Sequence, residues 1–187
     1  MQIELVERAR HGDHDAFTSL VNQSAGRCFG AAKLILRDPD RAQDAVQEAF
    51  VAAWRHVRAL RDPEAWDAWL YRLTVRACYR LARTSRRRDL AEIHLVTDAD
   101  ATPAQNDFSW EVDERDRLSR QLGKLPVDQR AVLVLHFYLD LPLTDAADIL
   151  DIPAGTAKSR LHRGLATLRA AMAAERPELH VVGERRA

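Results

Sequence analysis

Residues 38–57 read DPDRAQDAVQEAFVAAWRHV, which is the pattern of an amphipathic helix. Asp38 can cap a helix N-terminus, and Pro39 suits the first helical position because the N–H that it lacks would have no partner there. The apolar side chains recur at the spacing of one helix face: Val46, Ala49, Phe50, Ala53, Trp54 and Val57. This stretch therefore predicts a helix that begins next to Asp38 and buries one face.

The opposite face of this helix is mixed in character. It carries Asp44, Gln47, Glu48, Val51 and Arg55. From composition alone a solvated helix surface is the favoured interpretation, and a binding surface is the alternative.

Helical periodicity recurs along the chain, whereas strand signals are scarce. A second apolar stripe, for which we expect two helices interrupted near Gly26, consists of Phe17, Leu20, Val21, Cys28, Ala31 and Ile35. The 187 residues are 47% hydrophobic and 30% charged, enough of both for a core and a solvated surface. The sequence therefore predicts an all-α fold and excludes a wholly disordered chain.

Residues 68–88 contain seven arginines and no acidic residue. At 100° per residue one side of this predicted helix presents Trp69, Arg72, Arg76, Tyr79, Arg80 and Arg83. Arginine neutralises phosphate, and a ring stacks on an unpaired base with about 1–3 kcal/mol. Nucleic-acid contact is therefore the favoured interpretation of the arginines. A basic membrane-surface helix is disfavoured, because the apolar side is narrow.

The aromatic residues of the same segment have two possible roles. Trp66, Trp69 and Tyr71 could stack on bases or belong to the core. The core is favoured by the residues themselves, since large rings are mostly buried.

The formal net charge is zero, but the charges are unevenly distributed. Residues 1–88 have 16 Lys and Arg against 11 Asp and Glu, residues 89–117 have 2 against 9, and residues 118–187 have 10 against 8. The acidic stretch is also rich in residues that break periodicity, which favours a mobile linker. Both a solvated tether and an acidic strand that occupies a basic channel in a partner fit it.

Residues 143–168, LTDAADILDIPAGTAKSRLHRGLATL, have the spacing of a helix-turn-helix, with Ala147 at the helix crossing. We expect Thr144 to cap the first helix and the second helix to begin at Thr156. The preceding segment VDQRAVLVLHFYL follows Pro126 and is expected to be a helix rather than a strand. No acidic residue interrupts residues 155–174, so a polyanion can approach the second helix, although a generic helical hairpin is the alternative.

Other classes of protein have weak support. Cys28 and Cys78 have no companion at metal-ligand spacing and are expected to be buried small hydrophobes. The best evidence for an enzyme is the HGDHD run at residues 11–15, for which a solvated turn is favoured. We expect no enzymatic activity, metal or cofactor. Without a signal-peptide pattern or a long apolar stretch, we expect a cytoplasmic protein that does not insert into a membrane.

Four stretches, in this order, resemble bacterial sigma factors of the extracytoplasmic-function type. They are GDHDAF at 12–17, AQDAVQEAF at 42–50 with Trp54, AWLYRL at 68–73, and LPVDQR at 125–130 running on to IPAGTAKSRLHR at 152–163. Their order and spacing over almost the whole chain are specific. The resemblance implies two small helical domains, at 1–88 (region 2) and 115–174 (region 4), joined by an acidic linker at 89–114 and followed by a tail at 175–187.

The resemblance also implies a function: a transcription initiation factor that binds core RNA polymerase, melts the minus-ten promoter element and reads the minus-thirty-five element. The residues implied for core polymerase are Asp44, Gln47, Glu48 and Arg55. Those implied for minus-ten DNA are Arg61, Trp66, Trp69, Arg72, Arg76, Tyr79, Arg80 and Arg83. Those implied for minus-thirty-five DNA are Thr156, Lys158, Ser159, Arg160, His162 and Arg163. An anti-sigma partner is common in the family, and no residue of this sequence identifies one.

The sequence departs from the family pattern in the carboxy-terminal half. Asp140 stands where Gly is usual, and Gly164-Leu165 stands where Ala-Arg is common. The alternative function is a stand-alone helix-turn-helix transcriptional regulator, which would need a dimer face and an effector pocket.

Overall fold

Eight α-helices form most of the described part of the chain, and no strand occurs there. The structure is a computed structural model that describes the backbone of residues 1–92 and 110–174 and the side chains of residues 1–84 and 117–174. The helices are α1 (Gln2–Arg10), α2 (His14–Leu36), α3 (Pro39–His56), α4 (Trp66–Glu92), α5 (Trp110–Gly123), α6 (Val127–Leu133), α7 (Leu143–Leu150) and α8 (Ala154–Ala174). The prediction of an all-α fold is confirmed.

α3 begins and packs as the sequence predicts. The Asp38 carboxylate accepts hydrogen bonds from the backbone N–H groups of Asp40 and Arg41 at 3.0 and 3.1 Å. Ala49, Ala53 and Val57 are buried against the neighbouring helices. The α3 helix therefore contributes its apolar face to the core of the amino-terminal half and leaves its polar face outside.

α2 corrects one expectation, because it is a single helix through Gly26. Gly26 has no heavy atom within 4 Å of where a Cβ would lie, so neither a turn nor a close approach requires glycine there. The HGDHD run supplies the cap of this helix: the Asp13 carboxylate accepts from the N–H of Asp15 and of Ala16, both at 3.0 Å. Asp13 also pairs with Arg8 at 2.8 Å. These hydrogen bonds lower the pKa of Asp13 below its usual value.

The amino-terminal core is aromatic where α4 meets α2 and α3. Trp66 is completely buried and its indole N–H donates to the Ser24 hydroxyl at 3.4 Å. The rings of Phe17 and Trp54 lie with centroids 4.9 Å apart, and those of Trp66 and Trp69 lie 5.7 Å apart. This cluster fixes the start of α4.

The carboxy-terminal half contains the predicted helix-turn-helix, formed by α7 and α8. Ala147 is buried at their crossing, and Asp151 makes the turn with a left-handed φ of 55°. Two details differ from expectation. α7 begins at Leu143, so Pro142 occupies the N-cap position without a side-chain cap, and Thr144 lies inside the first turn, where its hydroxyl donates to the Asp145 carboxylate at 3.1 Å. α8 begins at Ala154, before Thr156.

The two departures from the family pattern have local explanations. Asp140 adopts a left-handed φ of 57°, a conformation that Asp tolerates better than most residues with a side chain. Gly164 is buried where α8 crosses α6, and a Cβ there would lie 2.9 Å from Leu133 Cδ1. Gly164 therefore permits a close approach of two helices, which offsets its cost in helix propensity.

The two halves of the chain contact each other. α4 packs against α7, and α2 packs against α6 and the π-helical turn Val134–Tyr138 that follows it. The Arg27 guanidinium donates to the Leu139 carbonyl at 3.3 Å across this seam. The helices also extend into the predicted linker from both sides, to Glu92 and from Trp110; residues 93–109 and the tail 175–187 lie outside the described residues. No helix in the described ranges contains an apolar stretch of the length that a bilayer requires.

Candidate nucleic-acid and polymerase interfaces

The outer face of α3 is accessible. Asp44, Gln47 and Arg55 are exposed, and Glu48 is partly exposed. Val51 lies among them with 43% of its surface exposed. A single exposed apolar side chain is common on protein surfaces, so this face fits both a solvated surface and a binding surface.

Some arginines of α4 are exposed without a partner among the residues that the structure describes, and others pair with neighbouring helices. Arg76 and Arg83 are exposed, as is Arg61 in the turn before the helix. Arg80 is also exposed but forms an ion pair with Glu48 of α3, so the predicted DNA surface and the predicted polymerase surface meet at this pair. The Arg72 guanidinium donates to the Asp148 carbonyl of α7. Side chains of Arg86, Arg87 and Arg88 lie outside the described residues.

Of the three aromatic residues of the predicted minus-ten surface, one is buried and two are partly exposed. Trp66 has no exposed surface, so the assignment of Trp66 to DNA binding is wrong for this conformation: its ring stabilises the core. Trp69 is half-buried beside it. Tyr79 is also half-buried, and burial raises the pKa of its hydroxyl to about 12. Trp69 and Tyr79 therefore offer part of a ring face each.

The second helix of the helix-turn-helix, α8, presents basic side chains on its outer side. Lys158, His162 and Arg163 are exposed, while Thr156 and Ser159 are partly exposed. Leu161 and Leu168 are buried on the inner side. Arg160 differs from its predicted neighbours because it turns towards α6, where it pairs with Asp128 at 3.1 Å and keeps only 25% of its side chain exposed.

Residues of both predicted DNA surfaces meet at one cavity. Tyr79 and Arg83 of α4 and Arg160 of α8 line one cavity of about 710 Å³ between the halves. A smaller cavity of about 380 Å³ lies beside Arg72 and the α7–α8 turn. We call this arrangement, in which the halves are packed together, the closed arrangement.

The two cysteines belong to the core. Cys28 and Cys78 are both free and buried, as predicted. Burial raises the pKa of Cys28 to about 11 and that of Cys78 to about 12, so both thiols stay protonated at neutral pH. Among the described residues no cluster of His, Cys, Asp and Glu could hold a metal ion.

Two family models match the halves separately. Residues 20–88 match sigma-70 region 2, and residues 115–168 match sigma-70 region 4. The RNA polymerase sigma-H factor of Pseudomonas aeruginosa is 30% identical over 176 residues, covering 86% of this chain and 88% of that protein. This chain belongs to the sigma-70 family, in its extracytoplasmic-function group. The extracytoplasmic-function sigma-E factor of Haemophilus influenzae is 31% identical over 168 residues, covering 85% and 88% of the two chains.

Solved structures of sigma factors share the fold. CnrH, solved in complex with the cytosolic domain of CnrY, superposes with a TM-score of 0.68 at 26% identity, covering 93% of this chain and 98% of that one. RpoE of Bartonella quintana, solved with the anti-sigma factor NepR, gives a TM-score of 0.69 at 22% identity and covers 86% of this chain and 98% of that one. This sigma factor is thus a transcription initiation factor that directs RNA polymerase to promoters, and a stand-alone regulator is not favoured.

Sequence reasoning missed the contacts that join distant residues. The Arg80–Glu48 and Arg160–Asp128 pairs connect different helices, and no i±4 rule could identify them. For Trp66 the sequence did contain a signal. Large rings are mostly buried, and this general tendency correctly favoured the core.

Proposed function

We propose that three surfaces of this sigma factor bind three different partners. The arginine side of α4 binds the opened minus-ten element, the outer side of α8 binds the minus-thirty-five element as duplex, and the outer face of α3 binds core polymerase. Residues 1–88 and 115–174 are the two modules, and the cytoplasm is the compartment where they meet polymerase.

The observation that carries the proposal is the set of cations left accessible. Arg76 and Arg83 on α4 and Lys158 and Arg163 on α8 are exposed at least in part. α8 contains no acidic residue from end to end. A strip of accessible cations without carboxylates attracts phosphate and releases counterions, which is the main source of affinity for nucleic acid.

The two DNA surfaces suit different states of DNA. α8 follows α7 in a helix-turn-helix, whose second helix enters the major groove, where Lys and Arg read guanine O6 and N7. On α4 the half-buried rings of Trp69 and Tyr79 lie among arginines, and such a mixture supports unpaired bases better than a duplex. Extruding a base costs a few kcal/mol, which stacking and phosphate contacts can offset.

The polymerase surface is supported by the accessibility of Asp44, Gln47 and Arg55, which lie in the stretch that matches sigma-70 region 2, with Val51 exposed among them. Glu48 belongs to the same face and pairs with Arg80, so polymerase binding at α3 and DNA binding at α4 share one ion pair. If Glu48 pairs with a cation of polymerase instead of with Arg80, the Arg80 guanidinium becomes available to DNA phosphate.

An anti-sigma factor is a further partner of this chain in the proposal. RpoE of Bartonella quintana has been solved with the anti-sigma factor NepR and CnrH with the cytosolic domain of CnrY, and this chain superposes on both sigma factors over most of its length.

The test begins by mapping transcript 5′ ends after overexpression, which identifies a cognate promoter. Run-off transcription with purified core polymerase then compares the wild-type chain with Val51→Asp, Arg76→Ala and Arg163→Glu. We expect Val51→Asp to lose polymerase binding, Arg76→Ala to lose promoter opening and Arg163→Glu to lose the upstream contact. Arg169→Glu, an exposed arginine later on α8, is the matched control for Arg163→Glu. Three variants that all transcribe like the wild type would contradict the division of surfaces.

A further inference from the structure

The cavity between the two halves is built from arginine. It has a volume of about 710 Å³, within the range of small-molecule sites. Its charged lining residues are Arg41, Arg83, Arg130, Arg160 and Asp128. The rest of the described lining is mostly apolar, from leucine, isoleucine, valine, alanine and proline side chains. The cavity thus combines an excess of positive charge with an apolar part of its lining, which we call the apolar floor.

Two donors in this cavity are left without partners. Arg130 Nε and the Tyr79 hydroxyl are buried and make no hydrogen bond to any residue that the structure describes. Arg130 Nη1 makes one long bond, to the Gly123 carbonyl at 3.4 Å. A buried polar group that loses its bond to water and gains none costs about 1–3 kcal/mol, and more when it is charged. Both atoms lie just behind the cavity surface, so a small rotation of either side chain towards a ligand that accepts hydrogen bonds would remove this cost.

The electrostatics of Arg130 favour an anion. Burial, together with the positive charge of Arg37, lowers the pKa of Arg130. Arg37 lies against Gly123, to whose carbonyl Arg130 donates, so two guanidinium groups approach the same backbone position. Such a concentration of like charge is unfavourable without a counter-charge.

The other cations of the cavity are only partly compensated. Arg41 pairs with Asp38 and Arg160 pairs with Asp128, each at 3.1 Å. Arg83 and Arg130 form no ion pair within the described part of the chain. Planar guanidinium groups bind phosphate oxygens with two parallel hydrogen bonds, so two such groups suit linked phosphates.

We propose that this cavity binds a small polyphosphate anion, whose linked phosphates contact Arg83 and Arg130 and towards which the Tyr79 hydroxyl turns to donate a hydrogen bond. The same chemistry is offered by an inorganic polyphosphate and by a nucleoside triphosphate, whose base would use the apolar floor.

The proposal deepens the proposed function, on which its regulatory consequence rests. Tyr79 and Arg83 belong to the minus-ten surface, and Arg160 belongs to the recognition helix. Elements about 25 base pairs apart are separated by roughly 85 Å along B-form DNA, whereas these residues line one cavity in the closed arrangement. A ligand that joins both walls therefore stabilises the closed arrangement and opposes promoter binding.

Titration calorimetry on the full chain at fixed ionic strength tests the site without polymerase or DNA. Sodium tripolyphosphate and GTP are each expected to bind at one per chain, and guanosine alone is not. If GTP binds more tightly than tripolyphosphate, the base contacts the apolar floor. If the two affinities are equal, the site recognises only the phosphates. No saturable binding of either phosphate compound would overturn the proposal.

Arg130→Met is the decisive variant, because it keeps the length of the side chain and removes the charge. We expect the affinity for tripolyphosphate to fall about tenfold to a hundredfold and the Tm of the ligand-free protein to rise, since an uncompensated buried cation is gone. Arg58→Met, at an exposed arginine outside the cavity lining, is the matched control and should bind like the wild type. Equal weakening by both variants would show general attraction of an anion to a basic surface and would contradict a site.

The result can be separated from that of the proposed function. Loss of tripolyphosphate binding leaves the promoter experiments with Arg76→Ala and Arg163→Glu unaffected. Conversely, if those variants transcribe normally while tripolyphosphate still binds one per chain, the site stands and its regulatory consequence does not.

Discussion

Substitution of Trp66 and of Arg76 separates what α4 does for the fold from what it does for DNA. Trp66 has no exposed surface and donates to Ser24, so Trp66→Ala removes a fully buried ring and leaves a cavity. Such a change costs about 3–5 kcal/mol. For a chain of this length each kcal/mol lowers the Tm by roughly 2–4 °C, so a fall of about 6–20 °C is expected.

Arg76→Ala should behave in the opposite way. Arg76 is exposed, and its substitution should change stability by less than about 0.5 kcal/mol. Promoter opening, however, should fall several-fold, because a phosphate contact beside the unpaired strand is lost. Arg76→Lys keeps a charge without the planar guanidinium and should retain part of the activity.

Thermal unfolding by circular dichroism gives the Tm, and permanganate reactivity of unpaired thymines at a mapped promoter measures opening. Arg58→Ala, outside α4, controls for the loss of an exposed arginine. Normal opening by Arg76→Ala would refute the role of the arginine side of α4. An unchanged Tm for Trp66→Ala would refute the assignment of Trp66 to the core.

Three further predictions concern the upstream contact, a helix cap and the thiols. Arg163→Glu places a negative charge towards DNA phosphates and should abolish DNase protection of the minus-thirty-five element while the minus-ten region stays protected by polymerase; full protection upstream would contradict this role. Asp38→Ala removes two hydrogen bonds at the start of α3 and should lower the free energy of unfolding by about 1 kcal/mol in urea titration, and no change would contradict the cap. Cys28 and Cys78 should react with iodoacetamide at pH 8 only after unfolding, because burial raises the pKa of each thiol to about 11 and about 12; fast reaction of the native protein would show that one of them is accessible. These raised values also mean that the unfolded state loses thiol protons first, so stability should fall as the pH rises above about 9.

Local signals in the sequence predict the helices well. Asp38 and Pro39 mark the start of α3 because capping and the fixed φ of proline act within a few residues. The helix-turn-helix follows from the spacing of Ala147 and the turn before α8. The failures are also local: Gly26 does not interrupt α2, since helix packing outweighs the cost of one glycine.

Contacts between distant residues are the part that the sequence does not predict. Glu48 and Arg80 pair across two helices, and Asp128 pairs with Arg160 between α6 and α8. The contact of the two halves is of the same kind, because the acidic stretch between them indicates a tether and says nothing about packing. The cavity at Arg130 depends on that packing and has no signal in the spacing of residues.

Run-off transcription from a mapped promoter tests the central claim most directly. Core polymerase with the purified chain should initiate at the mapped base, and block substitution of either the minus-ten or the minus-thirty-five element should remove most of the product. Core polymerase alone should give none. Absence of initiation with the chain present, or initiation that is indifferent to both elements, would contradict the account.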